Sequence, residues 1–187
     1  MPETYDFFRP TVPNPYPGDF RKIDGFEYVS RLVLAREPRA LRDEKGREMS
    51  YVVAEPYTVA FRVDGERREL TVPRGMLTDL TSTPAFARGE VGRVGPHLEA
   101  AIVHDYLFVA WQLLPDYGPR EVDFEFANAV MFAGLDAASI GWLRNRAIRI
   151  ALTSFGVAKS VYFEEDKRLF VELDERFASL ETGVLAA

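Results

Sequence analysis

A histidine and an aspartate stand side by side in the middle of a run that is otherwise mostly apolar. In LEAAIVHDYLFVAW, residues 98–111, His104 and Asp105 interrupt a stretch of branched, aromatic and small side chains. A carboxylate on such a segment is costly to bury unless it is paired, hydrogen-bonded or bound to a metal. Consecutive helical positions are about 100° apart, so the two side chains can flank one groove but cannot point the same way. His97 lies two helical turns before His104 on the same face, too far to share a metal with it inside one helix.

Two further segments add carboxylates. TVPRGMLTDLTSTP, residues 71–84, leaves a strand and ends in a proline-initiated turn. Its Asp79, with Thr81, Ser82 and Thr83, forms a polar knot in a loop, where functional groups tend to sit. In REVDFEFAN, residues 120–128, Asp123 shares a helical face with Phe126, Ala127 and Val130 and so borders a helix–helix interface. Asp79, Asp105, Asp123 and His104, drawn from separate elements, make a hard-metal set for Mg²⁺, Mn²⁺ or Zn²⁺. A bound cation would lower the pKa of water and supply a nucleophile, with Asp105 or Asp79 as general base. The chemistry would be hydrolytic, with Asp79, His104, Asp105 and Ser82 as the catalytic candidates.

Each residue also has a structural reading. Asp79 suits an Asx-turn or an acceptor for loop amides. Asp123 and Glu121 lie near a helix start, where the dipole favours negative charge. His104 suits a neutral core histidine, and Asp105 an arginine partner. A Ser-His-Asp triad drawn from Ser82, His104 and a carboxylate lacks a nucleophile elbow. GEVGRVG at 89–95 lacks both the Lys-Ser/Thr ending and the preceding strand of a phosphate loop, and reads as a surface connection.

The elements that must position these groups follow from the patterning. Residues 1–20 form a proline- and aromatic-rich arm, with Pro10, Pro13, Pro15 and Pro17 enforcing an extended path. Its aromatics, Tyr5, Phe7, Phe8, Tyr16 and Phe20, call for a packing surface on the domain itself or on another subunit. Strands are expected over Phe26–Ala35 and Ser50–Ala54, separated by the polar connection 42–47. The hairpin Tyr57–Val72 is the clearest element, because alternation on both arms flanks Asp64-Gly65, a favoured tight turn.

Helices follow. Thr83-Pro84 opens a short turn. A long apolar helix runs from His97 to Leu114 and ends at Pro115. Another runs from Gly118-Pro119 to about Ala133, with Gly134 as C-cap. Asp136 is placed to cap a third through about Ala158, burying Ile140, Leu143, Ala147 and Ile150. Leu169, Phe170, Leu173, Phe177 and Leu180 read as a final amphipathic helix. The expected architecture is therefore α+β, with N-terminal antiparallel hairpins packed on a C-terminal bundle of three to four helices. It forms a single domain over 21–187 behind the arm.

Composition narrows the function classes. The 187 residues carry a net charge of −6 and a pI near 5.1, which disfavours a broad nucleic-acid face. Arg144, Arg146, Arg149 and Lys159 spread around a helix axis as a solvated face. The absence of cysteine removes disulfides, thiolate metal sites and cysteine nucleophiles. No run approaches the roughly 20 apolar residues of a membrane span, and the first residues show no secretory signal, so cytoplasmic synthesis is expected.

Four of these segments resemble one family. TVPRGMLTDLTSTP is similar to the VPxGFxTDxxSxP motif of the phage-associated domain of unknown function 1353, and EAAIVHDYLF to its AAxxHDYLY. VDFEFANAVMFAG resembles its ADxxFxxAMxxxG, and AIRIALTSFG its closing helix. Order and spacing agree from about Glu55 to Gly156, and the departures are Met76-Leu77 for an aromatic and Phe108 for the last tyrosine. By this resemblance Asp79, Ser82, His104, Asp105 and Asp123 occupy the family's polar positions. It implies a tailed-phage or prophage context near tail or lysis genes, synthesis in a host cytoplasm, and no particular activity. Two functions fit that context. One is a metal-dependent hydrolase acting on cell-wall or other polymeric substrate. The other is a non-enzymatic virion component, a tail or baseplate accessory that meets other virion proteins through the arm. An intracellular binder of host proteins is compatible with the acidic charge.

Overall fold

A computed structural model describes residues 6–42, 48–78, 97–139, 145, 146, 149, 162, 163, 165 and 169–173. Six strands come first, β1 (Ile23–Tyr28), β2 (Leu34–Arg42), β3 (Glu48–Val53), β4 (Tyr57–Val63), β5 (Glu66–Val72) and β6 (Leu77–Thr78). They form two antiparallel sheets, ordered β1-β4-β5 and β2-β3-β6. Two α-helices follow, α1 (Leu98–Val109), extended by a 3₁₀ turn over Ala110–Leu113, and α2 (Glu121–Ala137). The class is α+β.

The β4–β5 hairpin keeps regular register from Tyr57↔Val72 to Val63↔Glu66. Its turn residues Asp64 and Gly65 both have positive φ, 52° and 91°, as the tight turn requires. The Asp64 carboxylate also accepts backbone N–H bonds from Arg21 and Lys22 at 2.8–3.2 Å, fixing where the arm enters β1.

The run expected as one strand over Phe26–Ala35 is two. β1 stops at Tyr28, the amides of Val29 and Ser30 both reach the Thr58 carbonyl, and the Ser30 hydroxyl accepts the Thr58 N–H. The chain then crosses to the other sheet and restarts at Leu34. Continuous apolar patterning does not mark such a crossing, because both halves are strand-like.

The helix expected over 97–114 is present, and Leu114 before Pro115 is extended, as the ring of a following proline demands. α2 runs past its expected end. Gly134 is no C-cap but a buried position in the last turn of α2, where a Cβ would come within 2.7 Å of the Ala100 Cβ. Its lack of a side chain lets α1 and α2 approach closely, and its carbonyl accepts the Tyr28 hydroxyl at 2.9 Å. Asp136, expected to cap a third helix, lies inside α2 and binds Arg149 Nη2 and Asn145 Nδ2, each at 2.8 Å. Of the expected third helix, Ala137 ends α2, Ala138 and Ser139 form a turn, Asn145, Arg146 and Arg149 are helical, and the remainder lies outside the described residues. The bundle of three to four helices is thus two α-helices among the described residues.

The final helix is corrected where it can be seen. Phe170 and Val171 are extended, bridging antiparallel to Met76 and Phe7. Val171 N–H donates to the Gly75 carbonyl at 2.9 Å and Leu77 N–H to that of Leu169 at 2.8 Å. Phe8 N–H donates to Phe170, and Glu172 N–H to Asp6. A helical 169–173 would leave the backbone groups of Gly75 and Leu77 without these partners inside the protein.

The aromatic core joins sheet to helices, with Phe26 stacked on Phe61, and Phe61 and Phe20 both against Phe126 of α2. The arm packs on its own domain. Tyr16 is buried, donates to the Leu107 carbonyl at 2.6 Å, accepts the Trp111 N–H at 3.1 Å and stacks on Tyr117.

Candidate functional site

α1 buries the face carrying Ile102, Val103, Tyr106 and Leu107 and thereby turns His104 toward α2. The imidazole is 4% exposed and tilts against Phe108, ring centroids 4.2 Å apart. Its Nε2 lies 3.0 Å from Asn128 Oδ1 on α2. An amide oxygen only accepts, so Nε2 carries the proton and Nδ1 keeps its lone pair. Burial pushes the His104 pKa down to about 4, against a smaller upward pull from the Asn128 bond, so the ring is neutral at physiological pH.

Asp105, next on the helix, is half-buried, and its Oδ2 accepts the Thr78 hydroxyl at 3.1 Å. Thr78 ends β6, from which the chain passes directly to Asp79. Asp79 and Ser82, with the glycines at 89, 92 and 95, lie outside the described residues.

Asp123 has a different set of partners. Its side chain is fully buried in the first turn of α2. Oδ1 accepts Arg120 Nη2 at 2.8 Å, and Oδ2 accepts Arg120 Nε and the Tyr117 hydroxyl at 2.9 Å each. Arg120 also donates to the Tyr117 hydroxyl and lies over its ring, 4.6 Å from the centroid. Tyr117 in turn stacks on Tyr16 of the arm. Its phenol is pushed up to about 12, first by burial and then by the Asp123 hydrogen bond. The buried carboxylate therefore ties the start of α2 to the loop before it and to the arm, and a cation at Asp123 would have to displace a guanidinium.

Among the described residues no group of three or more His, Asp or Glu side chains is disposed to hold a metal. Of the four expected ligands the structure places His104 and Asp105 side by side on α1, gives Asp123 to Arg120, and leaves Asp79 outside. Two participants escaped the sequence reading. Asn128 is a buried amide on the apolar face of α2, the same kind of signal that singled out His104. Thr78 is the residue before Asp79 and carries no pattern of its own.

Fold and site together define an α+β domain in which one apolar helix presents a neutral, oriented imidazole beside a tethered carboxylate. The chain belongs to the family described as protein of unknown function, DUF1353, which matches residues 52–150, over half its length. That stretch runs from within β3 through α2 and contains Thr78, Asp79, Ser82, His104, Asp105, Asp123 and Asn128. The arm, β1, β2 and residues 169–173 fall outside it. No curated protein and no solved structure matches the chain. No helix among the described residues is long and apolar enough to cross a membrane.

Proposed function

We propose that this protein is a small metal-dependent hydrolase that holds a divalent cation, Mg²⁺, Mn²⁺ or Zn²⁺, through His104 Nδ1, Asp105 and Asp79. The observation that carries the reading is the His104–Asn128 hydrogen bond. Metal-binding histidines commonly donate their second ring N–H to a fixed acceptor, which sets tautomer and orientation. Here the buried Nε2–H is committed to Asn128, the ring is held neutral, and the adjacent carboxylate is held by Thr78. A ligand histidine must be neutral, and His104 is neutral at physiological pH.

In this reading His104, Asp105 and Asp79 would hold the cation, which would supply an acidified water as nucleophile, with Asp105 or Asp79 as the general base for its proton. Ser82, three residues after Asp79, is a candidate for orienting substrate. Asp123, paired with Arg120, is left out of the ligand set. The phage context implied by the motif resemblance points to a cell-wall or other polymeric substrate.

The test is metal uptake and thermal unfolding of wild type and Asp105→Asn with Mn²⁺ or Zn²⁺. A cation that binds only the folded state at about 100 times its dissociation constant adds about 2.7 kcal/mol. For a chain of this size that raises Tm by roughly 5–11 °C. Stabilisation lost in Asp105→Asn supports the site. No uptake and no shift in wild type, with the variant merely less stable, makes the His-Asp pair a core fixture and refutes the proposal.

A further inference from the structure

Residues 6–8 and 169–171, both outside the family-matched stretch, close over the segment that delivers Thr78. Residues 75–78 are held on one edge by β3, through Gly75 N–H to the Val53 carbonyl at 2.8 Å and the pairs Val52↔Leu77 and Tyr51↔Thr78. On the other edge lies the 169–171 segment, and beyond it residues 6–8 of the arm. Gly75, at φ 89°, sits where these layers meet. A Cβ there would come within 2.6 Å of the Val171 carbonyl oxygen and 3.0 Å of the Phe8 ring. The Phe8 ring also meets Phe170 edge to face, centroids 6.1 Å apart. It therefore covers both the strand and its C-terminal partner at the level of Gly75.

We propose that Phe8 is a positioning residue: seated on bare Gly75, it clamps the 169–171 segment onto residues 75–77 and so fixes the Thr78 hydroxyl on Asp105. The assignment of Asp105 as a metal ligand rests on the function proposed above, whereas the clamp on Thr78 does not. β6 is only two residues long, and Thr78 is its buried last residue, so the place of its hydroxyl follows the seating of residues 75–77 on both edges. With one edge loosened, the hydroxyl no longer has a single place from which to hold Oδ2. Phe8 is 38% exposed, so its truncation removes the clamp without opening the main core.

The test compares Phe8→Ala, Phe8→Leu and Gly75→Ala in the full chain with Val63→Ala, a buried position at the hairpin end of the other sheet. Two quantities are read, the Mn²⁺ dissociation constant and, in metal-free protein, the Thr78 χ1 rotamer from three-bond NMR couplings. Phe8→Ala and Gly75→Ala should weaken Mn²⁺ binding by up to about tenfold, the effect of losing Thr78 itself as the outer-shell partner of Asp105. Both should convert one Thr78 rotamer into an average. Phe8→Leu should restore both properties, and Val63→Ala should leave both intact despite its lower Tm. Unchanged Thr78 couplings in Phe8→Ala overturn the clamp, as does an equal defect in Val63→Ala. If wild type binds no Mn²⁺, the hydrolase reading fails, and the clamp stands or falls on the Thr78 rotamer alone.

Discussion

Removing Arg120 should harm this protein more than neutralising Asp123, although the two form one ion pair. The Asp123 side chain is fully buried while that of Arg120 is 46% exposed, so the partners are unequally solvated. Arg120→Met leaves a buried carboxylate with one described donor, the Tyr117 hydroxyl. Breaking a buried pair from one side costs about 3–5 kcal/mol. Because water already reaches the guanidinium, the lower end applies, about 3 kcal/mol, or a fall in Tm of roughly 6–12 °C for a chain of this size. Asp123→Asn instead strands a guanidinium that can rehydrate, and the amide oxygen still accepts one bond, so about 1.5 kcal/mol is expected. In the double variant the losses overlap, and a coupling of at least about 1 kcal/mol should appear, since the residues touch. Urea unfolding followed by the fluorescence of Trp111, which lies in the core beside Tyr162, measures all three variants. Asp123→Asn should retain the Mn²⁺-dependent rise in Tm that Asp105→Asn loses. Equal losses in the two single variants, or strict additivity, would refute the unequal-solvation argument. Loss of metal stabilisation in Asp123→Asn would return that carboxylate to the ligand set.

Two further predictions concern packing and pH. Gly134→Ala should destabilise by about 2 kcal/mol, because the overpacking against Ala100 outweighs a helix-propensity gain of about 1 kcal/mol, and Ala100→Gly added to it should recover most of the loss in thermal unfolding. In metal-free protein the His104 pKa of about 4 lies below its ordinary 6.5, so between those values the unfolded chain binds a proton that the folded one refuses. The associated stability is full above pH 6.5 and is lost as pH falls toward 4, up to about 3 kcal/mol. Urea midpoints across that range should fall steeply in wild type and less in His104→Gln, and equal slopes in the two would contradict the assignment.

Local signals were sufficient wherever the deciding physics is local. Asp64-Gly65 between two alternating runs specifies a tight hairpin because few other residue pairs accept positive φ at both positions. Pro115 ends the helix before it by steric exclusion, and α1 was legible from its apolar length. The His104-Asp105 pair stood out because ionisable groups on an apolar helix need partners, and both have them in the structure. The polar-motif segments were recognisable from order and spacing, which is why the family match coincides with most of the stretch that resembled it.

What the sequence by itself determined was the α+β class, the hairpin, the two principal helices and the residues around which chemistry could be built. Tertiary structure alone decided which partners those residues take. Asp123 looked like a ligand as readily as an ion-pair partner, because a carboxylate at a helix start serves either role until a guanidinium folds back onto it. Gly134 had the composition of a helix end, and only the approach of Ala100 made it an interhelical contact. Residues 169–171 fit helical spacing over so short a run, yet the backbone groups of Gly75, Met76 and Leu77 drew them into extension. Thr78 carried no pattern, and the polar position of Asn128 on an apolar face did not name its partner, since a hydrogen bond between distant elements is a property of how they pack. Spacing along the chain fixes what lies on one face of an element, and only the packing of one element on another selects what that face meets.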